Sequence, residues 1–124
     1  MPVVRMEIVD VDQIPKGSVQ RLVDELGDIL GSEDGHTWLR IVPIPADHYA
    51  ENRVVDAAQT YRPVFVEVQR RGRSKTTEAE AVGIAAVVAA ILDRDRDNVH
   101  ITFSEPLVGR IAFGGYSNEW GSVR

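Results

Sequence analysis

Apolar positions change period along the chain, and the changes mark its elements. Val3 to Val9 is rich in β-branched residues, interrupted only by Arg5, Met6 and Glu7, and reads as a strand. After Pro15 and Gly17 the period lengthens. Val19, Leu22, Val23, Leu26, Ile29 and Leu30 recur at three- and four-residue steps, which predicts an amphipathic helix capped by Ser18 and stopped at Gly31. Thr37 to Val42 (TWLRIV) returns to a strand pattern and is expected to end at Pro43 and Pro45, because proline cannot continue a central ladder.

The second half replays this order. Pro63 to Gln69 (PVFVEVQ) predicts a strand, RRGRSK a polar turn, and Thr77 with Glu80 a capping box that opens a helix carrying Val82, Ile84, Ala85, Val88, Ile91 and Leu92. The alternating charges of Asp93 to Asn98 end that helix, and Val99 to Phe103 (VHITF) is a strand again. Pro2-Val3 and Pro63-Val64 open their units 61 positions apart in a 124-residue chain, as duplication and fusion would leave them. The reading is one α+β domain over 1–124, with repeat one at 1–62, repeat two at 63–115 and a tail at 116–124. Two tandem β-α-β repeats with right-handed crossovers form a four-stranded sheet with both helices on one face. The strands show few polar residues, so the second sheet face is expected to be covered by symmetric self-association. Trp38 is expected in the core.

Composition narrows the function. Fourteen basic against nineteen acidic residues give a net charge of −5, which argues against a general nucleic-acid or anionic-membrane surface, so any basic site is local. The absence of cysteine removes thiolate chemistry and cysteine-ligated metals. His36, His48 and His100 are not spaced as a metal cluster and are expected to be structural. Arg5 and Glu7 interrupt what a secretory signal would need to keep apolar. The longest apolar run, Ala81 to Leu92, falls well short of the roughly 20 residues that span a bilayer, and a cytoplasmic protein is expected.

The second unit carries P-V-F-V-E-V-Q-R-R-G-R-S, then a helix, V-H-I-T-F-S-E and finally A-F-G-G. It resembles one subunit of 4-oxalocrotonate tautomerase (4-OT), most tellingly in the ten-residue step from Pro63 to Arg73, the G-R-S of Gly72 to Ser74 and the pair Gly114-Gly115. At full length, with Pro2 and the R-x-G-R of Arg70 to Arg73, the chain is similar to fused members of the tautomerase superfamily: cis-3-chloroacrylic acid dehalogenase, malonate semialdehyde decarboxylase and the macrophage migration inhibitory factor group. That resemblance implies a homotrimer without a cofactor, in which an amino-terminal proline carries protons beside arginines that hold a small carboxylate substrate.

On this resemblance Pro2 is the catalytic base. Once Met1 is removed Pro2 is a secondary amine at a chain end, and an α-amino group starts near a pKa of about 8, which desolvation or a neighbouring cation lowers toward neutrality. With Met1 retained, Pro2 is an amide and has no basicity. Pro63, its counterpart, is internal and can only be structural. Arg70 and Arg73 lie where a strand gives way to a helix, and guanidinium groups there suit a substrate carboxylate. Arg71 alternates with them and is expected to be exposed. Arg40, in W-L-R-I-V, resembles the strand arginine that polarises the substrate carbonyl from another subunit; an intersubunit ion pair is the equal alternative. Tyr49 stands where an aromatic pocket wall is expected, and a surface hairpin tyrosine is its alternative.

Departures from the relatives bear on the reaction. Thr102 and Ala112 stand where the dehalogenase activates water, and the decarboxylase's acidic residue is replaced near Thr37. What is left suits keto-enol proton transfer on a small 2-keto acid. The alternatives are a silent trimeric binding protein of the same fold and a lyase, hydratase or dehalogenase for small unsaturated acids. The last would need a carboxylate near Pro2, for which Glu105 and Glu7 are the sequence candidates.

Overall fold

A computed structural model describes residues 2–72 and 76–116. Strand β1 (Val3–Val9) leads to helix α1 (Ser18–Ile29) and strand β2 (Trp38–Ile44); a short helix α2 (Ala57–Tyr61) precedes β3 (Val64–Gln69), helix α3 (Thr77–Leu92) and β4 (Val99–Phe103). The four strands form one sheet in the order β2-β1-β3-β4. Each repeat pairs its own strands in parallel, β1 with β2 and β3 with β4, while β1 and β3 meet antiparallel at the centre.

Period-two alternation sorts the side chains. Val4, Met6 and Ile8 of β1 and Val64, Val66 and Val68 of β3 are buried against Leu22 and Leu26 of α1 and Ile84 and Val88 of α3, so both long helices cover the same face. The opposite face carries a band of charged and polar residues. Arg40, Arg5, Glu67 and Thr102 stand side by side across the four strands, with Glu7, Phe65 and His100 in the next row. Val3, Trp38, Val42 and Phe65 share that register with Arg5, Arg40, Glu7 and Glu67, so the face is mixed, and it is the face expected from the sequence to be covered by self-association.

Four expectations change. β2 runs through Pro43 to Ile44, because β2 is an edge strand and a missing N–H there leaves no ladder partner unserved. Ser18 is buried as the first residue of α1 and makes no side-chain cap; Gly17, at φ 85, occupies that place. Thr76 precedes α3 without a side-chain cap, and Glu80 accepts hydrogen bonds from Arg70 rather than closing a capping box. Trp38 is 42% exposed, its indole N–H donating to the Gly35 carbonyl and its ring edge-on to Phe113 with centroids 5.1 Å apart.

The two halves are pinned together by Arg94. Its Nη1 donates to the carbonyls of Val9 at 2.6 Å and Arg62 at 2.8 Å, joining the end of α3 to the end of β1 and the approach to β3.

Candidate active site at the start of the first strand

The topology decides what gathers around Pro2. Because β1 and β2 run parallel, the connection from α1 must return to the beginning of β1, and the Trp38 N–H donates to the Pro2 carbonyl at 3.1 Å. Because β3 runs antiparallel to β1, its last residue, Gln69, pairs with Val3. The Arg70–Gly72 turn and the first turn of α3 therefore open at the same end of the sheet. Between these two connections lies a cleft of about 460 Å³ whose walls include Pro2, Glu33, His36, Arg70, Arg71 and Glu80.

Pro2 is buried and lines this cleft. The loop across from it is internally braced: the Thr37 hydroxyl donates to Ser32, the Ser32 N–H to the Gly27 carbonyl at 2.9 Å and the His36 N–H to the Glu33 carbonyl at 3.0 Å. His36 Nδ1 lies 3.8 Å from a Glu33 carboxylate oxygen. On the other wall, Arg70 Nη1 and Nη2 each donate to one oxygen of Glu80 at 3.1 Å, and Nη2 also reaches the Thr77 hydroxyl at 3.4 Å. Phe103 lies against the guanidinium, 5.1 Å from ring centroid to Cζ.

Of the residues singled out in the sequence, Pro2 and Arg70 meet at this cleft, and Arg71, exposed as expected, joins them. Arg73 lies outside the described residues, as do Met1 and the tail beyond Tyr116. Arg40 is exposed on the sheet face opposite the helices, beside Arg5, and is not part of the cleft within one chain. Tyr49 is also elsewhere: its hydroxyl donates to Glu51 at 2.7 Å and its ring packs on Phe65, with centroids 5.8 Å apart. Phe65 pairs with Glu7, four residues beyond Val3 and so about 13 Å along the strand. Burial, followed by the hydrogen bond and charge of Glu51, pushes the Tyr49 phenol up to about 12. Glu7 bonds Arg5 at 3.3 Å on the face opposite the helices, and Glu105 lines a separate depression behind Arg70. Neither is part of the Pro2 cleft.

The carboxylates that do line it are Glu80, which the sequence reading placed only in a cap, and Glu33, which it did not single out, and His36 lines it too. A signal for Glu80 was present. It falls four residues before Ile84 and eight before Val88, on the buried stripe of α3, where a carboxylate requires a partner. Among the described residues no group of three histidine, aspartate or glutamate side chains could hold a metal ion, and no helix is long and apolar enough to cross a membrane.

Solved structures share the whole architecture. A fused 4-OT that forms an asymmetric trimer superposes with a TM-score of 0.77 at 13% identity, over 97% of this chain and 99% of that one. This chain has the tautomerase fold. A second relative, Pt0534 inactivated by 2-oxo-3-pentynoate, gives a TM-score of 0.76 at 12% identity over 97% and 99% of the two chains. The macrophage migration inhibitory factor of Trichinella spiralis gives 0.69 at 12% identity over 91% and 96%. No family model matches the sequence, and no curated protein does. In the tautomerase fold of this chain, Pro2 immediately precedes the first central strand and lines one cleft with residues of both inter-element loops.

Proposed function

We propose that the protein is a tautomerase catalysing keto-enol proton transfer on a small 2-keto acid, with Pro2 as general base once Met1 has been removed. The observation that carries this reading is the burial of Pro2 in a cleft whose wall bears Arg70 and Arg71. A neutral secondary amine there takes a proton from the enol or from the carbon next to the carbonyl and returns it at another carbon. The arginine turn supplies the positive charge for the substrate carboxylate, Arg73 as its partner and Arg70 behind it. In a homotrimer, Arg40 of a neighbouring copy stabilises the developing enolate oxygen and Tyr49 closes the pocket wall. The reaction needs no metal or organic cofactor, and the protein works in the cytoplasm. The fused 4-OT trimers of this fold support the assembly.

The test follows ketonisation of phenylenolpyruvate and 2-hydroxymuconate by absorbance, comparing the processed chain with one whose amino terminus is acetylated or retains Met1. Turnover by the processed chain alone is the expected result; turnover that survives the block removes Pro2 as the base. A chain that binds these acids and turns over neither is instead a binding protein of this fold. A hydratase or lyase activity is the second reading, favoured by the placement of Glu33 and Glu80 in the Pro2 cleft, and release or uptake of water by an unsaturated acid would identify it.

A further inference from the structure

Resting on the reading of the Pro2 cleft as a carboxylate site, we propose that Glu80 is its specificity-determining residue. By pairing with Arg70 it cancels one positive charge, so that the cleft prefers a singly charged carboxylate to a dicarboxylate.

The pair is built into the wall. Arg70 and Glu80 side chains retain only 15% and 8% of their exposure, and both guanidinium ends are engaged by the two carboxylate oxygens. Thr77 takes a further contact from Nη2, and Phe103 covers a face of the guanidinium. A carboxylate grips an arginine best through two parallel N–H groups, and the Nη1/Nη2 fork of Arg70 is already spent in that way. A ligand could take it only by leaving Glu80 ionised and alone in a nearly closed site, which strongly opposes the exchange. Glu80 cannot swing away cheaply either, because it belongs to the buried stripe that continues through Ile84 and Val88.

The charge balance of the cleft follows. Among the described residues the cleft is lined by two arginines, Arg70 and Arg71, and two carboxylates, Glu80 and Glu33, and the partly buried Arg70 is the one whose charge is cancelled by direct pairing. Arg70 then acts as a neutralised, fixed element of the wall that orients the turn carrying the other arginines, and its carbonyl anchors that turn by accepting from the Leu107 N–H at 3.1 Å.

The experiment measures binding of benzoate and terephthalate, rigid probes that differ by one carboxylate and undergo no reaction, by amide NMR titration of the full chain. Wild type is expected to bind benzoate at least as well as terephthalate. Glu80→Gln should move the preference toward terephthalate by about tenfold, since one negative charge is lost at the wall. Arg70→Met combined with Glu80→Met removes a neutral pair and leaves no buried charge, so it should fold even where Glu80→Gln does not, and it should keep the wild-type preference. An unmoved preference in folded Glu80→Gln overturns the proposal, and so does loss of benzoate binding in the double variant, which would make Arg70 itself the ligand clamp. Wild type binding neither probe would instead refute the carboxylate site on which the proposal stands.

Discussion

The Trp38 N–H and the Pro2 carbonyl form the first rung of the β1–β2 ladder, at 3.1 Å. The residue proposed as base is thus held through its carbonyl, a contact that does not involve its nitrogen.

Pro2→Ala tests this division. The substitution keeps both the carbonyl acceptor and, after Met1 removal, an α-amine, so the strand should form as before. Activity is expected to fall about 10- to 100-fold, against a loss of about 1,000-fold or more when the amine is acetylated, because a positioned base contributes on that scale. Steady-state rates on phenylenolpyruvate check the order. Equal losses for the two would show that the ring, rather than the amine, is what the site requires.

Arg94 holds the repeats together through two carbonyls on different segments, and its Nε is buried with no hydrogen-bond partner among the described residues. Desolvation, then the neighbouring Arg62, lowers its pKa, a sign of how closed its surroundings are. Arg94→Met should destabilise the chain by about 2–4 kcal/mol, since two charge-assisted hydrogen bonds to carbonyls are lost. Arg94→Lys should recover only part of this, because a single ammonium cannot match the planar spread of the guanidinium. Urea midpoints for the three proteins decide it.

Tyr49 gives the fold an alkaline limit. Its phenol keeps its proton up to about 12 in the folded chain, against 10.0 ordinarily, so between those values deprotonation favours the unfolded state. Its contribution to stability is complete below pH 10 and is lost as the pH rises through 12. Absorbance at the tyrosinate band should show one late-titrating group, and Glu51→Gln should bring that group down toward the ordinary value. A Tyr49 titration unchanged by Glu51→Gln would assign the shift to burial alone.

Much of this was written in the local pattern. Val99 to Phe103 is the last strand with the expected ends, and Gly31, at φ 68, follows the first helix where its stop was read. The order of elements follows because hydrophobic period and turn residues are local properties. What was missed depends on long-range placement. Pro43 looked like a strand end until β2 proved to be at the edge, and Glu80 looked like a cap until Arg70 was brought across from the end of β3. His36 could be placed at Pro2 only by knowing that β1 and β2 are parallel, and that β3 opposes them. Arg40 and Tyr49 stand apart from the cleft in a single chain, so their proposed roles require neighbouring copies that one sequence does not display.

Gly83, between the two long helices, and Gly31, just past the first of them, should respond oppositely to alanine. Gly83 lies inside α3, where a Cβ would meet the Ile29 side chain of α1 at 3.5–3.6 Å, an ordinary contact. Helix propensity then decides, and Gly83→Ala should stabilise by about 0.5–1 kcal/mol. Gly31 has open space around the missing Cβ, but its φ of +68 is a left-handed conformation that disfavours side chains. Gly31→Ala should therefore cost about 1 kcal/mol for reasons of backbone alone. It also borders the Pro2 cleft, so a shift of its loop would move Glu33 and His36 as well. Thermal unfolding reads both changes, and the idea fails if Gly83→Ala is destabilising, since the contact with Ile29 would then be a clash between the two helices.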